Sequence, residues 1–183
     1  MSITAVVLTA GSYGTTWPGL EVLVRRQVIR NAAELQAARF NAVLDVRTSH
    51  FFYLDDDDTL PAGHLDVLAE CKARAAPLAY TDELVGVEVR KSAPYSQAAH
   101  LADPLLVHHL ALYETAEARR AVAQLPRGHY CPEIMLAWQV AKRGAAYVPR
   151  IGYVWNKRPS GMHNWPSTSL SQMRALLWCK ANP

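Results

Sequence analysis

Residues 51–61 are Phe51-Phe52-Tyr53-Leu54-Asp55-Asp56-Asp57-Asp58-Thr59-Leu60-Pro61, an aromatic and aliphatic run that ends in four consecutive carboxylates. An apolar run bounded by charges and a proline is typical of a buried strand that presents its last residues at the edge of a sheet. Neighbouring carboxylates in a reduced dielectric repel one another unless a proton or a cation intervenes. The segment therefore predicts a buried strand followed by a site for a positively charged partner.

A divalent ion is the partner that these acids favour. Side chains alternate along an extended segment, so we expect Asp55 and Asp57 on one face and Asp56 and Asp58 on the other. Oxygen ligands suit Mg2+ or Mn2+, which proteins commonly hold with one or two carboxylates and the phosphate oxygens of a substrate. The alternative is a solvated acidic turn before a helix, with Asp58 or Thr59 as the helix N-cap.

The residues around this segment resemble a known family. Ala38-Arg39-Phe40-Asn41-Ala42-Val43-Leu44-Asp45, followed by residues 51–61, is similar to the part of family 2 glycosyltransferases, which have the GT-A fold, that leads into their Asp-x-Asp motif. Tyr80-Thr81-Asp82-Glu83 and Arg90-Lys91-Ser92-Ala93-Pro94-Tyr95 resemble two later segments of that family, in the same order. The resemblance implies a nucleotide-sugar donor, with Arg39, Asp55 and Asp56 in the donor site and Asp57 on Mn2+ or Mg2+.

A second stretch with chemical potential begins at Pro132-Glu133 and ends at Gly144, and its pattern predicts an amphipathic helix. One interpretation makes Glu133 a first-turn acid that complements the helix dipole. The other comes from the resemblance to the family's Asp-x-x-Leu helix, whose acid is the catalytic base. It implies that Glu133 takes the proton of an acceptor hydroxyl in a single displacement with inversion.

The remaining candidate donor-site residues lie in loops. Thr9, Ala10 and Gly11 follow the apolar segment that begins at Ile3, at the strand end where α/β sheets bind ligands. In the polar loop after Trp155, cationic side chains could counter phosphate charge and a histidine could complete the metal shell, as one does in some GT-A enzymes. The residues concerned are Lys157 and Arg158 for the phosphates and His163 for the metal.

The pattern and the resemblance together predict an α/β fold: a GT-A, Rossmann-like sandwich with a mixed, mostly parallel sheet flanked by helices. We expect helices at Asn31–Leu44 and over Asp103–Gln124. His108 and His109 would then diverge on the second helix, since neighbours point about 100° apart, and would not share a metal. The tail predicts a helix over Ser167–Lys180 whose buried face holds Leu170, Met173, Leu176 and Leu177.

Composition indicates one globular domain over residues 1–183, with 156–183 as a loop and helix that could cover the active site. No apolar run approaches the roughly 20 residues of a membrane span, and Met1-Ser2-Ile3-Thr4 lacks the basic region of a signal peptide. Three cysteines without metal-ligand spacing suggest neither disulfides nor a zinc site. The sequence therefore predicts a cytoplasmic protein.

The functional prediction is a metal-dependent glycosyltransferase that moves a sugar from a nucleotide donor to an acceptor hydroxyl. The net charge of +3 and the pI near 8.8 are compatible with an anionic donor or acceptor. One specific hypothesis is a virus-type enzyme that glycosylates hydroxymethylated bases in DNA, with arginine clusters on the phosphates. The alternatives are a catalytically idle nucleotide-sugar or nucleic-acid binding module, and a divalent-metal phosphohydrolase or nucleotidyltransferase that uses the same acids.

Overall fold

The computed structural model describes residues 2–11, 14, 16–157 and 166–183. Within these ranges a seven-stranded sheet carries helices on both faces. The elements in chain order are β1 (Ile3–Thr9), β2 (Glu21–Arg26), α1 (Ala32–Asp45), β3 (His50–Asp55), α2 (His64–Ala73), β4 (Leu78–Val85), β5 (Glu88–Arg90), α3 (Gln97–Ala102), β6 (Ala111–Glu114), α4 (Thr115–Gln124), α5 (Pro132–Ala141), β7 (Ala145–Trp155) and α6 (Pro166–Ala181).

The sheet has the order β2-β1-β3-β6-β4-β5, and β7 pairs with the other edge of β4. β1 is parallel to β2 and β3, and β4 is parallel to β7. β6 lies antiparallel between β3 and β4, so these two strands point the same way. Five strands therefore share one direction, and the predicted mixed, mostly parallel sheet is confirmed.

The quoted stretch forms β3, and its side chains alternate between two hydrophobic clusters. Phe51 and Tyr53 face the cluster covered by α1, α4, α5 and α6, whereas Phe52 and Leu54 face the cluster covered by α2. A strand buried on both faces needs a continuous apolar run, which explains why this segment lacks polar residues until Asp55. The prediction of a buried strand at this position is confirmed.

Helix α1 confirms the helix expected after Asn31. The side chain of Asn31 accepts hydrogen bonds from the backbone N–H groups of Ala33 and Glu34, each at 3.0 Å. This N-cap fixes where the helix begins. The buried face of α1 includes Arg39 and Phe40, so the helix directs a cation as well as an aromatic ring toward the sheet.

The expected helix over Asp103–Gln124 was wrong in its first half. Residues 103–110 form a loop, 111–114 form β6, and only the segment from Thr115 onward is helical. Ala111 and Tyr113 face one hydrophobic cluster while Leu112 faces the other, which is the period of two of a strand. The gap between β3 and β4 selects the extended form, because only a strand can satisfy the hydrogen bonds of both neighbours.

Helix α6 forms where the sequence predicted it, but the buried face of the helix differs from the predicted one. Its buried residues are Ser171, Ala175 and Cys179, spaced four apart, while Leu170, Met173 and Leu177 are 45%, 54% and 62% exposed. Of the predicted residues, Leu176 is partly buried and packs against the core. Small residues let α6 approach α5 closely, and this close approach decides which stripe is buried. None of the helices in the described ranges is long and apolar enough to cross a membrane.

Gly152 on β7 has no room for a side chain. A methyl group at this position would lie 2.5 Å from Oγ1 of Thr81, and the register of the two strands shifts beside Asp82. The side chains of Thr81 and Leu110 therefore occupy the space that a side chain at position 152 would need, and only glycine fits there. The shift places the next residue, Tyr153, against the end of β3.

A buried histidine makes the stability of the fold dependent on pH. His100 on α3 is fully buried between Tyr95 and Trp138, and a backbone hydrogen bond at Ile134 offsets the effect of burial on its pKa only in part. Burial lowers the pKa of His100 to about 4. The unfolded chain, with an ordinary histidine pKa near 6.5, therefore takes up a proton that the folded chain refuses.

We expect the unfolding free energy to fall by about 2 kcal/mol between pH 7 and pH 5 because of His100. Its contribution to stability is complete above the pKa of His100 in the unfolded chain, and it is lost as the pH falls toward the pKa of His100 in the folded chain. Urea titrations at pH 7 and pH 5 measure the unfolding free energy at each pH. In His100→Phe the difference between the two free energies should be smaller than in wild type by that amount. His129→Gln, at an exposed position, is the matched control. An equal pH dependence in wild type and His100→Phe would show that this ring is not responsible.

Candidate active site at the carboxyl edge of the sheet

The carboxyl ends of β1, β3 and β7 border a cavity of about 440 Å3. Its lining includes Thr9 and Ala10 after β1, the acids that follow β3, and the first turns of α5 and α6. Asp57 and Glu133 both line this cavity. The acid motif and the predicted base therefore face one common space large enough for a small ligand.

Arg39 connects the two groups of acids. Its Nη2 donates to Oδ1 of Asp55 and its Nη1 to Oε1 of Glu133, each at 2.7 Å. The guanidinium also lies 4.7 Å from the ring centroid of Tyr53, whose hydroxyl donates to the carbonyl oxygen of Arg39. The Arg39 side chain is only 10% exposed, so these contacts hold it in a single buried geometry.

The charges at this bridge reinforce one another. Burial alone would lower the pKa of Arg39, but the charges of Glu133 and Asp55 outweigh it and raise that pKa above its ordinary value. Burial alone would raise the pKa of Asp55, but the charge and the hydrogen bond of Arg39 outweigh it and lower that pKa. Asp55 is therefore an anion and Arg39 a cation across the ordinary pH range.

The four acids do not alternate as an extended strand would have them. β3 ends at Asp55, and the backbone N–H of Asp58 donates to the carbonyl oxygen of Asp55 in a turn. As a result Asp56 is exposed, Asp57 is half-buried on the cavity wall, and Asp58 is buried. The expectation that Asp56 and Asp58 share a face was wrong because the strand stops one residue into the acidic run.

Asp58 fastens this turn to the end of β7. Its Oδ1 accepts the backbone N–H of Asn156 at 2.7 Å, and its Oδ2 accepts the hydroxyl of Tyr153 at 2.9 Å. Burial raises the pKa of Asp58 to about 7, with a further contribution from the negative charges of Asp55 and Asp57. The Tyr153 hydroxyl in turn accepts the N–H of Asp55, so one phenol orients both ends of the acidic turn.

A cluster that the sequence did not indicate lies beside the acids. The buried carboxylate of Glu83 on β4 accepts from Nη1 of Arg90 at 2.9 Å, from Nδ1 of His109 at 2.6 Å and from Nδ1 of His108 at 3.1 Å. His108 and His109 lie in the loop before β6, and both line the cavity. The expectation that these histidines diverge was wrong, because it assumed a helix where the chain forms a loop.

Two sets of side chains could hold a metal within the described part of the chain. Ligand atoms of Asp55, Asp58 and His109 lie within 4.8 Å of one another, and so do those of Glu83, His108 and His109. Carboxylate oxygens with an imidazole nitrogen suit a divalent cation. The predicted ligand Asp57 lines the same cavity, whereas His163 lies outside the described residues.

The other predicted donor-site residues have varied positions. Thr9, Ala10 and Asp56 line the cavity, and the exposed Gly11 donates its backbone N–H to Oγ1 of Thr9 at 3.1 Å. Lys157 is exposed, with Nζ 5.4 Å from the ring centroid of Trp155. Arg158 lies outside the described residues, as does part of the loop predicted to cover the site.

Comparison with known proteins gives a result at the level of fold. No protein-family model matches the sequence, and no curated protein is significantly similar to it. S. aureus TarS 1–349 in complex with UDP-GlcNAc matches the whole of this chain and 67% of its own, with a TM-score of 0.70 and 12% identity. A longer TarS structure gives a TM-score of 0.63 and 11% identity, and the chain spans 40% of its length.

A second similar structure is glucosyl-3-phosphoglycerate synthase from Mycobacterium tuberculosis in complex with Mg2+ and UDP. It matches the whole of this chain and 80% of its own, with a TM-score of 0.56 and 16% identity. These likenesses give the chain the fold of GT-A-type glycosyltransferases, as the sequence predicted.

Removal of the buried cation should destabilise the protein because it leaves two acids without their partner. We expect Arg39→Ala to cost about 2 kcal/mol of unfolding free energy, less than a fully buried pair would, since Asp55 and Glu133 are partly exposed. Arg25→Ala is the control: its ion pair with Asp45 is exposed, and its loss should cost less than about 1 kcal/mol. Urea titration measures both, and equal costs would contradict a stabilising role for the bridge.

Proposed function

We propose that this protein is a metal-dependent glycosyltransferase that moves a sugar from a nucleotide donor to an acceptor hydroxyl with inversion. Glu133 acts as the general base, and Asp55 and Asp57 form the donor and metal motif. The observation that carries the proposal is the common cavity, which both the acid motif and Glu133 line. The guanidinium of Arg39 bridges Asp55 of the motif and Glu133. A single displacement requires this arrangement, because the groups that bind the leaving diphosphate and the base that acts on the acceptor hydroxyl must face the same space.

The proposed donor is a UDP-sugar. The similar TarS structure contains UDP-GlcNAc, and the similar synthase contains UDP and Mg2+. In this chain, Thr9, Ala10 and Gly11 would form the wall beside the nucleotide, with Asp55, Asp56 and Arg39 at its base. Lys157 and Arg158 would counter the phosphate charge from the loop after β7.

The donor set supports a divalent cation, Mn2+ or Mg2+. Asp57 is the ligand that the resemblance implies, and Asp55 and Asp58 offer further carboxylate oxygens beside it. A bound cation would offset the charge that develops on the leaving diphosphate. His163 stays a predicted ligand.

Two contacts orient the Glu133 carboxylate, which we propose as the base. Its Oε1 is engaged by Arg39, and its Oε2 accepts from Sγ of Cys131 at 3.2 Å. Burial raises the pKa of Cys131 well above its ordinary value, so the thiol keeps its proton and donates. The acceptor hydroxyl would give its proton to the Glu133 carboxylate while its oxygen bonds to the anomeric carbon and the bond to the diphosphate oxygen breaks, with the electron pair leaving on the diphosphate.

A screen of nucleotide sugars with Mn2+ tests the donor proposal without the acceptor. We expect one UDP-sugar to raise the melting temperature and to be hydrolysed slowly to UDP and free sugar. Release of UMP or inorganic phosphate would instead indicate a phosphohydrolase or nucleotidyltransferase. Stabilisation without any hydrolysis or transfer would indicate an idle binding module.

Glu133→Gln should lower turnover by about 10²–10⁴-fold while donor binding stays within a few-fold of wild type, because the amide cannot take a proton. Donor hydrolysis and UDP binding by calorimetry measure the two effects separately. Glu88→Gln, at an exposed position in the β4–β5 hairpin, is the matched control and should behave as wild type. Unchanged turnover in Glu133→Gln would show that Glu133 is not the general base.

For the acceptor, glycosylation of hydroxymethylated DNA bases stays a prediction from charge and size. Several of the arginines it invoked have partners within the chain: Arg25 pairs with Asp45, Arg120 pairs with Glu117, and Arg119 donates to the carbonyl oxygen of Val46. A DNA acceptor would also have to leave the base stack.

If DNA is the acceptor, the affinity of the protein for DNA should fall by at least about ten-fold between 50 and 200 mM salt, because the release of cations from the phosphates favours binding less as the salt concentration rises. Fluorescence anisotropy with a labelled duplex that carries hydroxymethylcytosine measures this slope. Weak binding with no salt dependence would exclude DNA and leave the glycosyltransferase proposal in place.

A further inference from the structure

Glu83 is a buried anion with an unusual number of donors. Its side chain is 5% exposed and accepts from Arg90, His108 and His109. Arg90 donates to Oε1 of Glu83 at 2.9 Å and His109 contacts Oε2 at 2.6 Å, so Glu83 is an ion-paired carboxylate with both oxygens engaged. Since an ionised carboxylate only accepts hydrogen bonds, both histidines must carry a proton on Nδ1.

This requirement fixes the chemistry of His109. With Nδ1 donating to Glu83 at 2.6 Å, the neutral imidazole keeps its lone pair on Nε2. The ring is also held in place: it stacks on Tyr153 with centroids 4.5 Å apart and planes 7° apart, and it contacts Trp155 at 4.8 Å. Tyr153 is the same phenol that orients Asp58 and Asp55.

A ring nitrogen of His109 lies within 4.8 Å of carboxylate oxygens of both Asp55 and Asp58. We propose that His109 is the nitrogen ligand of the active-site cation and that Glu83 is a positioning residue that fixes its tautomer and ring orientation. The inference rests on the proposed function only for the role of the cation. A carboxylate that holds a metal-binding imidazole through its second nitrogen is a recurring arrangement in metal sites.

Charge balance around the site agrees with this assignment. Asp58 is buried beside two other acids, and within the described residues its recorded hydrogen-bond donors are uncharged. A dication at the proposed position would offset the negative charge that Arg39 leaves uncompensated. Arg90 pairs with Oε1 of Glu83 whereas His109 contacts Oε2, so the charge of Arg90 is paired with Glu83.

His108 is a matched internal control. Like His109, it contacts Glu83 and lines the cavity. Among the described residues, however, the histidine grouped with Asp55 and Asp58 as a possible metal ligand is His109 and not His108. The two histidines therefore differ in the one property that the proposal uses. A nitrogen ligand also favours transition ions over Mg2+, so Mn2+ should bind more tightly than Mg2+.

Mn2+ binding to the whole chain, followed by electron paramagnetic resonance with and without UDP, tests the proposal directly. Pulsed spectra of wild type should contain a nitrogen coupling from a coordinated imidazole. His109→Ala should abolish that coupling and weaken Mn2+ binding at least ten-fold, whereas His108→Ala should keep the coupling and change the affinity less than three-fold. Glu83→Gln should weaken Mn2+ binding about ten-fold, as loss of such outer partners does.

Three results would overturn the proposal: no Mn2+ binding by wild type under either condition, a nitrogen coupling that persists in His109→Ala, or a coupling lost in His163→Ala instead. His109→Gln serves as a second variant if His109→Ala does not fold, and far-ultraviolet circular dichroism checks each protein. The outcome is separable from the proposed function, because Glu133→Gln should bind Mn2+ as wild type does. Donor hydrolysis by wild type could likewise survive the failure of His109 as a ligand.

Discussion

The double ion pair of Arg39 is the constraint on which the site depends. A guanidinium that is nine-tenths buried requires anions close by, and α1 brings it between the end of β3 and the start of α5. Asp55 and Glu133 are 78 positions apart in the chain, yet the fixed fork of one side chain sets their separation. The packing of α1 and α5 on the sheet thereby sets the relative position of two carboxylates that line the cavity.

A second line of contacts starts at Gly152. The register shift between β4 and β7 beside Gly152 places Tyr153 under the acidic turn, and the Tyr153 hydroxyl bonds to Asp58 and to the backbone of Asp55. The Tyr153 ring stacks on the face of His109. Glu83 holds the other side of that imidazole. The acids thus have a rigid support on the β4–β7 side and a charged one on the α1 side, which is the preorganisation that a binding site for anions and cations needs.

Local signals in the sequence were sufficient to predict the helices and strands whose formation depends on their own residues. The apolar run ending at Asp55 predicted β3, and the alanine-rich segment Asn31–Leu44 predicted α1. Segment 103–114 could not be assigned in this way, because its extended state comes from two neighbouring strands. The His108–His109–Glu83 cluster depends on that loop and on strand pairing, so sequence spacing could not reveal it. The buried face of α6 follows the small residues that permit close packing rather than the leucines.

The late position of β6 in the chain has a consequence for biosynthesis. The edge of β3 that pairs with β6 at His50 and Phe51 stays open until a strand that follows about 55 residues later is inserted beside it. At about 5–20 residues per second, a ribosome leaves that edge open for several seconds. An unpaired apolar edge is a template for association with other nascent chains. Slow translation between residues 55 and 111 would therefore lower the yield of native protein, and chaperones that shield strand edges would raise it.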